Sequence, residues 1–159
     1  MLRVGLGVAA LVAVLDQLSK AWVLSLFAEQ PPLERVRPVT PFFNLVLTWN
    51  RGMSFGLFNN DAALNAVIFT VAAAVIVTGL IVWLRRTREP MLAVAIGLVI
   101  GGAIGNVVDR LWRGAVADFL DFHWMGWHWF AFNLADAAIC IGVGLMVIDS
   151  LLARREAPN

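Results

Sequence analysis

The chain has 159 residues, of which 60% are hydrophobic and 14% charged, with a formal net charge of +1, and its mean hydropathy is +0.80. A water-soluble domain carries about 25% charged residues and about 45–50% apolar ones, so that class is excluded. No basic tail or stripe points to a nucleic-acid partner. The single cysteine, Cys140, lies in an apolar run, which leaves no disulfide within the sequence and reads as a small buried hydrophobe.

Four stretches reach the length of about 20 apolar residues that a membrane-spanning helix needs. The first, about 4–27, is interrupted by Asp16 and Lys20. No small-x-small cleavage site follows its apolar run, so it reads as a span and not as a cleaved leader. A long connection, 28–61, comes next. Its segment 36–49 is rich in β-branched and aromatic residues, and 42–49 is expected to be a strand, paired with 54–58 across Asn50, Arg51 and Gly52. The second span is about 62–84, closed by Arg85 and Arg86. The third, about 91–108, begins after Pro90 and ends at Asp109 and Arg110. In the connection 109–129, residues 115–122 are a second strand candidate, and Trp124, Trp127 and Trp129 fit an interfacial aromatic belt. The fourth span is about 130–152, ended by Arg154 and Arg155. The chain reads as a single membrane-embedded domain, 1–159.

Basic residues orient the bundle. Arg85, Arg86 and Arg88 crowd the short connection between spans two and three, and Arg3, Arg154 and Arg155 fall on the same side. That side is the cytoplasm. Both termini are therefore expected inside, and the two long connections outside.

With a rise of about 1.5 Å per residue, Asp16 lies about 18 Å into its span, in the outer half. Lys20 is one turn further out, on the same face and able to pair with it. Asn106, Asp109 and Arg110 come at the outer end of span three, on one face, and Asn133 and Asp136 in the outer part of span four. Asn50, Arg51, Asp118 and Asp121 of the connections join them at that level. Intramembrane ionisable groups face a bundle interior or a wet cavity and pair there, so a polar site is expected just beneath the outer membrane surface. Asp121 reads as loop surface, Arg113 as a snorkelling interfacial cation, and His123 and His128 as interfacial hydrogen-bonding groups without a metal-ligand spacing. Gly97, Gly101 and Gly105 form an i,i+4,i+8 series. They are expected to seat span three closely against the small residues Ala137, Ala138, Gly142 and Gly144 of span four.

Asp136 is the anomalous residue. A carboxylate in the middle of a spanning segment costs about 2.5–3.5 kcal/mol on insertion scales. No Ser/His or Cys/His arrangement accompanies it. Two carboxylates held together share a proton, and such a pair can activate a water while polarising a carbonyl. The partner of Asp136 must come from another segment at the same depth, and spacing leaves Asp16, Asp109 and Asp118 open.

The set "LDQLSK" (15–20), "WNRGMSFG" (49–56), "GGAIGNVVDR" (101–110), "VADF" (116–119) and "FNLADAAI" (132–139) resembles the lipoprotein signal peptidases, the type II signal peptidases, in order along nearly the whole chain. The resemblance implies a four-helix membrane bundle with a small extracytoplasmic β-cradle, in the bacterial inner membrane, with its site near the periplasmic surface. It implies an aspartyl peptidase that cuts diacylglyceryl-modified prolipoproteins before the lipidated cysteine. Asp118 and Asp136 would be the catalytic pair, and Asp16, Lys20, Asn50, Asn106, Arg110 and Asn133 the supporting residues. It implies no cofactor or metal. Partners would be those substrates and membrane lipids, with no nucleic acid, and the protein is taken as a monomer. The chain departs from the family pattern at Arg51, where threonine is common, at Met53 and Ser54, and at Ala117. It also has no tyrosine. A small transporter or a non-enzymatic scaffold is the alternative. A transporter would place its charges near the midplane, reachable from both sides, and a scaffold would use them as helix glue.

Overall fold

The computed structural model describes residues 1–52 and 62–156. Four long helices run through it: α1 (Leu2–Leu26), α2 (Ala62–Arg86), α3 (Pro90–Arg113) and α4 (Leu134–Glu156). Each contains a segment long and apolar enough to cross a membrane. Between them lie strands β1 (Val36–Thr40), β2 (Phe43–Asn50), β3 (Val116–Trp124) and β4 (Trp127–His128), in one antiparallel sheet of order β1-β2-β3-β4.

The central helix is α3. Its residues Ala93, Ala95, Ile96, Gly97, Ile100, Gly101, Gly102, Gly105, Asn106 and Asp109 are all buried, whereas α2 exposes Val67, Val71, Val75 and Ile76, the outward face a lipid-bathed helix presents. The glycine series does a different job from the one expected. Gly97 and Gly101 face Gly5 and Ala9 of α1, and Gly105 faces the Asp16 carboxylate, so the i,i+4,i+8 series seats α1. Helix α4 is seated by Gly102 against Ala135 and by Gly142 against Ala95, where an added Cβ would lie 2.7 Å from the carbonyl oxygen. The reason is angular. Gly102 lies one residue, about 100°, around the helix from Gly101, so α3 presents two small-residue stripes to two neighbours. Gly144 has nothing near it, and Cys140 is exposed on the outside of α4, contrary to the buried reading.

The ends of α3 and α4 that flank the sheet differ from the sequence expectation, both through polar residues. Helix α3 continues beyond residue 108 to Arg113 and closes on Gly114 in the left-handed conformation, φ 74°, as a glycine after a helix end allows. Helix α4 starts at Leu134 and not near 130. Phe132 is instead bridged to Leu120 of β3, and Asn133 stands just before the helix.

The sheet sits on the end of α1. Ala117 and Phe119 of β3 and Leu47 of β2 pack with Val23 and Phe27. Strand side chains alternate, so Asp118 points to the opposite face from Ala117 and Phe119. The β2–β3 register is Leu45↔Leu120 and then Thr48↔Asp118, with an irregularity between them, which bends the strand where Asp118 is presented. Strand 42–49 and strand 115–122 are thus present as β2 and β3. The expected pairing with 54–58 lies outside the described residues, and among those described the partners of β2 are β1 and β3. The β3–β4 hairpin turns through Met125 (φ 50°) and Gly126 (φ 81°), the two positive-φ residues of a tight hairpin loop.

Candidate active site

Two of the sequence-derived aspartates meet through a shared pair of asparagines. Asn133 Nδ2 donates to Asp118 Oδ1 at 2.7 Å and lies 3.2 Å from Asn106 Oδ1. Asn106 Nδ2 donates to Asp136 Oδ1 at 2.8 Å. Asn133 is fixed by a reciprocal cap at the start of α4. Its Oδ1 accepts from the Asp136 N–H at 3.0 Å, and its own N–H donates to Asp136 Oδ2 at 3.2 Å. This is the geometry of a capping box, with aspartate in the place usually taken by glutamate or glutamine. The intramembrane cost of Asp136 is thereby offset, because the carboxylate sits in the first turn where helix N–H groups favour negative charge.

Asp118 is buried, 2% exposed. Burial, and next the negative charge of Asp136, push its carboxyl up to about 6, against hydrogen bonds from Asn50 and Asn133 that favour the ionised form. Asn50, at the end of β2, also accepts the Gly52 N–H at 2.8 Å, which closes the turn beside the site. Gly52 has φ 86°, and a Cβ there would run into the Phe69 ring of α2. The Arg110 guanidinium lies 5.0 Å from the centre of that same ring and within the electrostatic reach of Asp136, Asp118 and Asp109. A cleft of about 470 Å³ opens over Asp118, lined by Thr48, Trp49, Asn50, Arg51, Phe130 and Ala131.

Asp16 and Asp109, the other aspartates that spacing left open as partners, are engaged elsewhere. Lys20 Nζ lies 2.8 Å from Asp16 Oδ2 and 3.0 Å from Asp109 Oδ2, and all three side chains are fully buried. Asp109 also pairs with Arg113. Two acids and two bases make a charge-balanced buried group, as burial of charge demands. Lys20 further donates to Asn106 Oδ1 at 3.2 Å. That contact fixes which end of the Asn106 amide is oxygen, and so turns its NH₂ toward Asp136.

Three residues were misread from sequence or missed. Arg113 is part of the buried network, 17% exposed, and not a free snorkelling cation, because α3 runs one turn further than its apolar stretch. Asp121 is buried on β3 and not loop surface. Burial pushes its carboxyl up, but hydrogen bonds from Asn44 at 2.9 Å and His128 outweigh this and leave it below the usual range. Gln17 was not singled out. Its Nε2 lies 3.1 Å from Asp109 Oδ1 and 3.1 Å from the Gly105 carbonyl. The available signal was its place beside Asp16 in an otherwise apolar helix. His123 and His128 stack on each other, and His128 Nδ1 lies 3.0 Å from Asp121.

The geometry is that of two aspartates joined through Asn133 and Asn106, one of which, Asp118, lines a cleft. The family model described as signal peptidase (SPase) II matches residues 8–152. This chain belongs to the signal peptidase II family. Curated relatives carrying the name lipoprotein signal peptidase include one from Methylorubrum extorquens, 42% identical over 96% of this chain and 90% of its own. Another, from Ralstonia nicotianae, is 46% identical over 92% of this chain and 83% of its own. A bacterial membrane enzyme solved by the in meso method at 2.3 Å resolution superposes with a TM-score of 0.78 at 26% identity. That alignment covers 98% of this chain and 92% of the other. The protein is a multi-pass bacterial membrane hydrolase of the signal peptidase II family, built from four apolar helices and a small antiparallel sheet.

Proposed function

We propose that this signal peptidase II removes the signal peptide from diacylglyceryl-modified prolipoproteins, cutting before the lipidated cysteine, with Asp118 and Asp136 as its catalytic dyad. The observation that carries the assignment is the bridge Asp118–Asn133–Asn106–Asp136, with Asp118 lining a cleft. It holds two carboxylates close enough for the charge of one to raise the pKa of the other. Such a pair keeps one proton between them.

A water held by the dyad attacks the scissile carbonyl carbon. The ionised aspartate takes its proton, and the protonated aspartate gives its own to the carbonyl oxygen. The tetrahedral intermediate collapses as the leaving amine takes a proton, and the dyad again shares one. Arg110, resting on Phe69 near the end of α3, contacts carbonyl or lipid oxygens of the substrate. Asn106, Asn133 and Asn50 hold the carboxylates in register, and Asp16 and Lys20 support them from beneath.

The basic residues support an orientation. Arg85, Arg86 and Arg88 crowd the α2–α3 turn, at the bundle end away from the sheet, which marks that end as cytoplasmic. The sheet and dyad then lie at the periplasmic surface of the inner membrane, where the diacylglyceryl group stays in lipid while the peptide enters sideways. A single domain acting as a monomer suffices, since one chain supplies both aspartates.

Single-turnover cleavage in H₂¹⁸O, with and without hydroxylamine, tests the mechanism. Water attack places one ¹⁸O in the new signal-peptide carboxylate, and hydroxylamine diverts no product. A hydroxamate product would reveal an acyl-enzyme and overturn the dyad mechanism.

A further inference from the structure

The buried charges beneath the dyad touch more than one another. Asp16 Oδ1 accepts the backbone N–H of Ala135 at 3.0 Å. Asp109 Oδ2 accepts the backbone N–H of Ala117 at 3.0 Å. Ala135 immediately precedes Asp136, and Ala117 immediately precedes Asp118. Both alanines are buried, so neither amide has water as an alternative partner. Lys20 lies between the two carboxylates, 2.8 Å from one and 3.0 Å from the other.

We propose that Asp109 is a positioning residue for hydrolysis, one of two carboxylate hooks, joined through Lys20, that set the distance between the backbones carrying Asp118 and Asp136. The proposal rests on the dyad reading above. The hooks act across different elements. Asp16 ties α1 to the first turn of α4, and Asp109 ties α3 to the start of β3. They act beside the side-chain bridge through Asn133 and Asn106 and the backbone bridge between Leu120 and Phe132, and among the described residues they alone hold the amides immediately before the two aspartates from the helices beneath. Arg113 and Gln17 complete the arrangement by holding the other oxygen of Asp109, so the hook oxygen stays turned to Ala117. A role confined to helix packing would need none of this pairing with the residues that precede the dyad.

A displacement of about 1 Å at a reacting group can cost about 100-fold in rate. Asp109→Ala removes the hook. Asp109→Asn keeps an oxygen for Ala117 but loses the charge that holds Lys20. In the full-length protein in lipid nanodiscs, with a diacylglyceryl-modified prolipoprotein as substrate, kcat is expected to fall about 10-fold in Asp109→Asn and about 100-fold in Asp109→Ala. KM should stay within about twofold. The alkaline limb of the rate profile should move to lower pH, because an Asp118 drawn away from Asp136 loses its repulsion. Amide exchange should quicken over residues 115–119 and remain unchanged over 134–138. A normal kcat per folded molecule with an unmoved pH limb, in a variant of lowered thermal stability, would overturn the proposal and leave Asp109 a packing residue. Should Asp109→Ala fail to fold, the pH limb and the exchange pattern of Asp109→Asn decide alone. Asp118→Asn run alongside separates the two levels of the argument. Turnover surviving in Asp118→Asn sinks the dyad, whereas a dead Asp118→Asn beside an unaffected Asp109→Ala sinks only the hook.

Discussion

Replacing Asp118 by asparagine is expected to stabilise the folded protein near neutral pH while it removes turnover. The wild-type carboxyl, 2% exposed, is held at about 6 against an ordinary 3.8. Between those two values the unfolded chain has lost the proton that the folded one keeps, so stability falls as pH rises through this window and levels off above about 6. The displacement corresponds to about 3 kcal/mol at pH 8. Asparagine has no charge to bury and still offers an oxygen to Asn133. Its NH₂ is a donor the carboxylate did not have, and leaving it partly unpaired costs about 1–2 kcal/mol, so the net gain at pH 8 is about 1–2 kcal/mol. On the size scaling for 159 residues that is roughly 2–8 °C in Tm. The assay is thermal unfolding of wild type and variant in the same detergent from pH 4 to pH 8. The variant should be slightly less stable than wild type at pH 4, gain on it between pH 4 and pH 6, and hold a constant advantage above. A variant no more stable than wild type at pH 8, or a difference independent of pH, would refute the reasoning that burial and Asp136 hold this carboxyl up.

Other consequences follow from the same geometry. The shared proton is lost as pH rises, so kcat/KM should show an alkaline limb at pH about 6 or higher, falling about tenfold per unit beyond it. Lipid around the cleft can only move that limb upward, and a limb below pH 6 in a rate profile would contradict the charge assignment. Lys20→Met leaves Asp16 and Asp109 buried with one cation fewer. A loss of about 3–5 kcal/mol is expected, measured as a collapse of Tm or of folded yield, and a normal Tm would show that the pairs are not buried as described. Gly102→Leu drives a side chain into the Ala135 carbonyl and Ile139, at a cost of about 1–3 kcal/mol or more. Because Ala135 adjoins Asp136, turnover should fall too. Gly144→Leu, where nothing lies nearby, should change neither.

Sequence made the membrane architecture legible because hydropathy acts over whole segments. The four spans, the strands at 42–49 and 115–122, and the common depth of Asp16, Lys20, Asn106, Asp109 and Asp136 needed only length, rise and composition. What sequence left open was angular or non-local. Whether Gly97 or Gly102 faces α4 depends on a rotation that an i,i+4 series leaves undetermined. Spacing left Asp16, Asp109 and Asp118 open as partners for Asp136, and only the family resemblance singled out Asp118, because depth does not show that Lys20 engages Asp109 as well as Asp16. Helix ends were misplaced where polar residues extend or cap them. Asp109 to Arg113 carry α3 beyond its apolar run, and Asn133 begins α4 later than hydropathy suggests. Arg113 and Asp121 were read as surface because a charged residue in a connection usually is, and only their partners, Asp109 and Asn44, bury them.

The central claim is that Asp118 and Asp136 act together on one water. Its most direct test is cleavage of a diacylglyceryl-modified prolipoprotein by the purified protein, followed by product mass, with wild type, Asp118→Asn and Asp136→Asn compared at matched folded concentration. Wild type should release the signal peptide before the modified cysteine, and each asparagine variant should release none above background while retaining its fold. Cleavage at a rate near wild type by either folded variant would contradict the account.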